Sequence, residues 1–207
     1  MNAEGAAAVT TSRIPDNAAT RIARTISWIG HPLVFVSVSV ALVVFWRLAN
    51  RVGLLVLLAL IVAVVLPTAL LLIRGVRSGR WSDADVSVQT ERRSFYPRAI
   101  LISFGGVIAL VSLKAPAFIV QGAGVTLVLL LAAAAINRYL KVSLHTIFAF
   151  YCAVVLLRIG MITGIIALGL AALVVWSRLH LKRHTPIEVL LGLLLGTCGG
   201  IITAWWP

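Results

Sequence analysis

Acidic residues are scarce in this chain of 207 residues, which has six Asp and Glu against 18 Lys and Arg. A single Asp-x-Asp pair occurs, at Asp83 and Asp85, and the only other aspartate is Asp16. Membrane prenyltransferases and terpene cyclases hold Mg²⁺ on two aspartate clusters, and CDP-alcohol phosphatidyltransferases use several spaced aspartates on one helix. The second class is therefore excluded, whereas the first stays open as an alternative on Asp83 and Asp85 alone.

Charged residues and cysteines are also few. Charged residues make up 12% of the chain and hydrophobic residues 61%, a balance that no soluble core of this size requires. Apolar runs of about 20 residues recur, which is the length that a helix needs to cross a bilayer. The two cysteines, Cys152 and Cys198, lie inside these runs, so we interpret them as packing residues and not as a disulfide or metal pair.

The apolar runs predict an all-α, polytopic membrane helix bundle of about six or seven transmembrane helices. Seven segments are delimited by short polar or Pro/Gly breaks at 114–116 and 158–160 and by longer charged segments. They are 28–49, 52–73, two within 99–137, two within 143–176, and 187–206. Residues 1–27 are predicted to be a mobile cytoplasmic tail, and 28–207 a single transmembrane domain. Gly-x-x-x-Gly spacings at 160/164, 192/196 and 196/200 predict close helix packing.

The net charge of +12 is distributed unevenly over the predicted topology. One face receives the N-terminus and segments 74–98, 138–141 and 178–184, which carry fourteen of the 18 basic residues. The other face receives Arg47, Arg51, Lys114 and Arg158. This asymmetry predicts that the basic face is cytoplasmic and that the protein resides in the cell membrane, and it favours a lipid bilayer over nucleic acid as the partner.

The basic segment 178–184 is followed directly by a helix-start signal. Thr185, Pro186 and Glu188 form a capping box with proline at the first helical position. A second interpretation of Glu188 is that it reaches back four residues to His184, fixes the imidazole tautomer, and leaves the other ring nitrogen free as a nucleophile. The two interpretations are compatible. Arg178 lies upstream, where a guanidinium can bind phosphate oxygens.

Two further segments carry chemistry on the same predicted face. Lys141, Ser143 and His145 open one span, and the stretch 82–98 holds Arg92 and Arg93. Each has a simpler interpretation, as an interfacial residue or as a solvated loop with basic anchors. An even number of crossings separates each charged segment from the next, so we expect all three to meet on one side.

Together these motifs resemble the type 2 phosphatidic acid phosphatase (PAP2) superfamily. Ser177-Arg178, five residues, His184, three residues and Glu188 look like its third signature, Ser-Arg-x5-His-x3-Asp. Ser143 and His145 match the second signature, Pro-Ser-Gly-His, and the resemblance covers roughly residues 80–200. In the first signature, Lys-x6-Arg-Pro, Arg92 matches the Arg, but Asp85 stands at the Lys position and Arg93 at the Pro position.

The resemblance implies a PAP2-like helical core and an integral membrane phosphatase that needs no cofactor. By this resemblance the catalytic residues are His184 as nucleophile, His145 as general acid and base, and Glu188 as partner of His184. The implied substrate ligands are Arg92, Arg178, Ser143, Lys141 and Arg93. The implied substrate is a lipid phosphate or isoprenyl (di)phosphate.

Because Asp85 stands where the family signature has a phosphate-binding Lys, the sequence does not show which residue neutralises the charge of the substrate phosphate. Lys141 or Arg93 is one answer, and a weaker one is a Mg²⁺ ion on Asp83, Asp85 and Glu91 that bridges a diphosphate. A further alternative is a degenerate family member that binds anionic lipid without catalysis. That alternative predicts the loss of catalytic histidines, whereas His145 and His184 are both present.

Overall fold

The computed structural model describes residues 16–48 and 50–205 and folds them into a bundle of helices. Helices are the regular secondary structure throughout this part of the chain, so the predicted all-α class is confirmed. The elements are α1 (Ala18–Ile29), α2 (Pro32–Arg47), α3 (Asn50–Leu60), a π-helical turn (Ile61–Val65), α4 (Leu66–Arg77), α5 (Gln89–Ser112), α6 (Ala117–Ile136), α7 (Leu144–Leu157), α8 (Met161–His180) and α9 (Pro186–Trp205).

Five helices of the described part are long and apolar enough to cross a membrane, and a sixth candidate is the α1–α2 pair, which is bent by 54°. The span 51–77 runs through α3, the π-helical turn and α4 without a sharp bend. These helices support an integral membrane protein, and α7, with 14 residues, is the predicted segment that is shorter than a span.

The predicted breaks between helices are confirmed. Helix α5 ends before Lys114, whose φ of 51° turns the chain, and Pro116 precedes α6. Helices α7 and α8 separate at Arg158–Gly160. The first of the two spans predicted within 99–137 is part of a longer helix, because α5 begins at Gln89 and includes ten residues, nine of them polar or aromatic, ahead of the apolar run.

Helix α7 lies at the centre of the bundle, and most of its side chains are buried. A stripe of glycines on α9 faces it. A Cβ on Gly196 would lie 2.2 Å from the Ile147 carbonyl oxygen, and one on Gly192 would lie 2.9 Å from the Ser143 carbonyl oxygen. The predicted close packing at these glycines is confirmed, and it brings the first turns of α7 and α9 together.

Helix α1 begins inside the segment that was assigned to the tail. Asn17 caps it by accepting a hydrogen bond from the Thr20 amide, and the Thr20 hydroxyl lies 3.3 Å from His180 Nε2 of α8. The folded part therefore starts about ten residues earlier than position 28, because α1 packs against the end of α8. Residues 1–15 of the predicted tail lie outside the described residues.

Candidate functional site

The three charged segments meet at one end of the bundle, as the parity argument predicts. Lys141 Nζ donates hydrogen bonds to the carbonyl oxygens of Ser87 (3.2 Å) and Arg183 (2.7 Å), one from each of the other segments. Arg92 donates to the carbonyl oxygens of Val86 (2.9 Å) and Val142 (2.7 Å). Long basic side chains thus hold three stretches of backbone against one another.

His184 lies just ahead of α9 with both roles of Glu188 realised at once. Glu188 Oε2 accepts hydrogen bonds from the Thr185 amide (3.1 Å) and from His184 Nδ1 (2.8 Å). His184 Nδ1 is also 3.1 Å from the Lys141 carbonyl oxygen, which can only accept. Nδ1 therefore carries the proton, and Nε2 holds a lone pair. This Nε2 is buried and makes no hydrogen bond within the described residues.

Electrostatics keep the His184 imidazole neutral. Burial lowers its pKa, and the neighbouring charges of Arg92, Arg178 and Lys141 lower it further, to about 2. A neutral imidazole with one free nitrogen is a nucleophile, whereas an imidazolium is not. The same three cations mark this end of the bundle as a place for an anion.

Arg178 is fully buried in the last turn of α8, and one of its three guanidinium nitrogens makes hydrogen bonds. Nη1 donates to Ser27 Oγ (2.6 Å) and to Asp85 Oδ2 (2.6 Å). Nε and Nη2 are buried and make no hydrogen bond in the described part of the chain. Leaving a buried donor unpaired costs about 1–3 kcal/mol, so this free edge is suited to two oxygens of a phosphate.

Asp85 is thus an ion-pair partner and not an isolated charge. Its Oδ2 binds Arg178, and its Oδ1 lies 3.5 Å from His145 Nε2. His145 is 3% exposed, so a protonated imidazole there depends on a nearby negative charge. In the described residues no other carboxylate lies within 4 Å of His145. The residue that departs most from the family signature therefore lies between His145 and Arg178.

The remaining residues that the sequence proposed as phosphate ligands have other contacts. Ser143 is fully buried and caps α7, accepting hydrogen bonds from the Thr146 amide (3.4 Å) and hydroxyl (3.0 Å). Lys141 binds the two carbonyl oxygens described above, and burial lowers its pKa, which Glu188 partly offsets. Arg93 is exposed and makes no hydrogen bond with the described residues, so the structure does not bring it to the site. Binding of substrate by these three stays a prediction.

The three carboxylates considered for Mg²⁺ are engaged separately. Asp83 Oδ2 pairs with Arg183 (2.8 Å), Asp85 pairs with Arg178, and Glu91 accepts hydrogen bonds from the Ser82 amide and hydroxyl. Across residues 16–48 and 50–205, no group of three or more potential ligands is close enough to share a metal ion.

Two site residues escaped the sequence analysis, and both come from the bend between α1 and α2. Ser27 binds Arg178, and the His31 ring packs edge-on against His145 with centroids 5.4 Å apart. His31 also caps α2, because its Nδ1 accepts a hydrogen bond from the Leu33 amide (3.2 Å). The His31-Pro32 pair at the start of a predicted span could have indicated that His31 lies at the membrane surface. No sequence pattern indicates a role for Ser27.

The arrangement joins a neutral nucleophilic nitrogen, a free guanidinium edge and a second histidine in one polar, largely buried site. No curated protein and no solved structure matches the chain. The family model of the PAP2 superfamily matches residues 119–207, which include the second and third motifs but not the first. This match confirms the resemblance that the motifs carry, and the chain is consistent with a member of the PAP2 superfamily, whose members are generally phosphatases acting on phosphate esters.

Proposed function

We propose that this protein is a membrane-embedded phosphatase that hydrolyses a lipid phosphate or isoprenyl (di)phosphate through a phosphohistidine at His184. The observation that carries the proposal is the His184 geometry. Its Nδ1 is held by Glu188 (2.8 Å) and the Lys141 carbonyl oxygen (3.1 Å), while its buried Nε2 has no partner in the described residues. That is the tautomer and orientation that attack on phosphorus requires.

In the first step, His184 Nε2 attacks the terminal phosphorus. The bridging oxygen leaves with the hydrocarbon chain of a monophosphate, or with the inner phosphate of a diphosphate. The Nε and Nη2 groups of Arg178 bind equatorial oxygens, where the transition-state charge is spread. His145 protonates the leaving oxygen, a contribution of about 10²–10⁴-fold. Glu188 stabilises the imidazolium that develops on His184, since its carboxylate already accepts the Nδ1 proton.

In the second step, His145 takes a proton from water, which attacks the phosphohistidine and releases phosphate. Asp85 serves both steps in this proposal, because its Oδ1 lies 3.5 Å from His145 Nε2 and its Oδ2 accepts a hydrogen bond from the Arg178 guanidinium at 2.6 Å. An aspartate at the family's Lys position orients an arginine and supports the acid, and Arg178 supplies the positive charge that the phosphate needs.

An amphiphilic substrate is supported by the position of the site, at the end of apolar helices that are long enough to span a bilayer. The non-catalytic lipid-binding alternative is not favoured, because His145 and His184 are both buried beside acidic partners. The Mg²⁺-dependent prenyltransferase alternative is not favoured either, because Asp83 and Asp85 bind different arginines.

The test is an assay of the purified protein with geranylgeranyl phosphate and diphosphate, with and without EDTA. We expect release of inorganic phosphate that persists in EDTA. Turnover that EDTA abolishes and Mg²⁺ restores, with diphosphate as the product, would support the prenyltransferase alternative. Binding of the lipid without turnover would support the non-catalytic one.

We also propose that the site faces the cytoplasm of a cell membrane, on the support of fourteen basic residues against four. An impermeant thiol reagent applied to intact cells should not label a cysteine introduced at Lys182. Ready labelling would reverse the orientation without separating the residues of the site.

A further inference from the structure

A partly open cavity begins beside His145. It has a volume of about 130 Å³, and its polar end is formed by His31, Asp85, Arg92 and His145. The rest of its wall is mostly apolar and comes from α2, the π-helical turn, α4, α5, α6 and α7. We call this space the proximal chamber. Its presence beside buried charged groups requires an explanation, since an apolar cavity stabilises neither them nor the fold.

A second cavity lies next to the first. It has a volume of about 450 Å³ and shares Val36, Val64, Ser103 and Thr126 with the proximal chamber. We call it the distal chamber. It reaches Arg158 at the far end of α7, so the two chambers together follow that helix from His145 for about 20 Å at 1.5 Å per residue.

The proximal chamber lies on the leaving-group side of the site. His145 lines it, whereas His184, Arg178 and Glu188 do not. In the proposed reaction His145 protonates the departing oxygen, so the carbon chain bonded to that oxygen must start beside His145. The apolar walls favour a hydrocarbon there, at about 25 cal/mol for each Å² removed from water.

The volume of the proximal chamber limits how much hydrocarbon it can hold. A cavity of about 150 Å³ holds one benzene molecule, and 130 Å³ is of that size. The chamber therefore has room for a short stretch of one hydrocarbon chain, and a second chain beside it would need as much volume again.

We propose that the site takes the phosphate ester of a single long hydrocarbon chain, and that this chain runs from His145 through the proximal chamber into the distal chamber. The inference rests on the proposed function and narrows it, because a glycerolipid with two acyl chains is disfavoured. Isoprenyl phosphates and single-chain alkyl or acyl phosphates share this chemistry.

The residues that line both chambers, which include Ser103 and Thr126, are called the neck, and the experiment fills it with larger side chains. Thr126→Phe on α6 inserts a ring at the neck, and Val128→Phe, on the same helix with a side chain that is 61% exposed, adds the same ring outside. Ser103→Leu on α5 is a second neck variant in case the first does not fold. Full-length protein in detergent is assayed with geranylgeranyl phosphate, farnesyl phosphate, lysophosphatidic acid, phosphatidic acid and p-nitrophenyl phosphate.

We expect kcat/KM to be higher for geranylgeranyl than for farnesyl phosphate and lowest, among the lipids, for phosphatidic acid. In a neck variant, the ratio of kcat/KM for geranylgeranyl phosphate to that for p-nitrophenyl phosphate should fall by about tenfold or more, the effect of leaving two methylene groups unburied. Val128→Phe should keep the wild-type ratio. Comparison of lysophosphatidic acid with the prenyl esters shows which single chain is preferred.

Equal ratios in wild type and both neck variants would overturn the proposal, as would phosphatidic acid turned over as well as the single-chain esters. Absence of hydrolysis with every ester, p-nitrophenyl phosphate included, would count against the proposed function instead. In that case, binding of geranylgeranyl phosphate, measured as a rise in melting temperature, still tests whether the chambers hold the hydrocarbon chain. A rise in wild type that is lost in the neck variants supports the channel, and an equal rise or none contradicts it.

Discussion

Removal of the Asp85 charge is the most informative single perturbation, because Asp85 departs most from the family signature and yet holds two functional residues. Asp85→Asn keeps the size of the side chain and loses its charge-assisted bond to Arg178 at 2.6 Å. Hydrogen bonds to charged groups contribute about 1.5–3 kcal/mol, so kcat/KM should fall by about tenfold to a hundredfold.

The loss should depend on the leaving group. Arg178 acts on every substrate, whereas the acid at His145 matters for an alkyl ester and little for p-nitrophenyl phosphate. Asp85→Asn should therefore cost more with geranylgeranyl phosphate than with p-nitrophenyl phosphate. Asp83→Asn is the matched control, because Asp83 pairs with Arg183 at the partly exposed rim, where a salt bridge contributes about 0–1 kcal/mol.

Asp85→Lys restores the residue of the family signature and separates two explanations. If Asp85 orients Arg178 and supports His145, a lysine repels both, and activity should fall below that of Asp85→Asn. Higher activity in Asp85→Lys than in wild type would refute this reasoning, and so would an equal loss in Asp83→Asn and Asp85→Asn.

Three further predictions follow from the site and its packing. Glu188→Gln should lower the rate of phosphoenzyme formation by about tenfold to a hundredfold. The melting temperature should change little, since Gln also serves in a capping box, and near-normal kinetics would show that Glu188 only caps α9. The pKa of His184 is lowered to about 2, so this imidazole should stay neutral between about pH 8 and pH 5, where an ordinary histidine becomes protonated. The burst of nitrophenol released from p-nitrophenyl phosphate should therefore persist over that range. A burst that disappears near about pH 6.5 would contradict the neutral imidazole. Gly196→Ala should destabilise the protein by about 1–3 kcal/mol in thermal unfolding, because its Cβ would lie 2.2 Å from the Ile147 carbonyl oxygen. Gly169→Ala is the control and should not destabilise it, since a Cβ there has no atom within 4 Å. Equal melting temperatures for the two variants would contradict the α7–α9 packing.

The sequence predicted the parts of the fold that depend on local chemistry. Proline, glycine and isolated charges marked the helix breaks, and Thr185-Pro186-Ile187-Glu188 marked the start of α9, because capping involves residues only three or four apart. The meeting of the charged segments followed from the number of apolar runs between them.

The parts that the sequence missed depend on long-range contacts. Asp85 and Arg178 are 93 residues apart, and Ser27 and Arg178 are 151 apart, so no local pattern announces either pair. The start of α5 was also missed, because Arg92 appears polar in sequence yet is 1% exposed and bonded to two carbonyl oxygens. Local polarity alone does not show that a charged side chain turns inward.

The central claim is that His184 becomes phosphorylated. Purified protein is mixed with geranylgeranyl phosphate carrying a radiolabelled phosphate group, quenched within the first turnover, digested and mapped. The account predicts acid-labile, base-stable label on the peptide that contains His184, no label in His184→Ala, and accumulated label in His145→Ala treated with labelled p-nitrophenyl phosphate, since hydrolysis then lacks its base. Label on another residue, or label retained in His184→Ala, would contradict it.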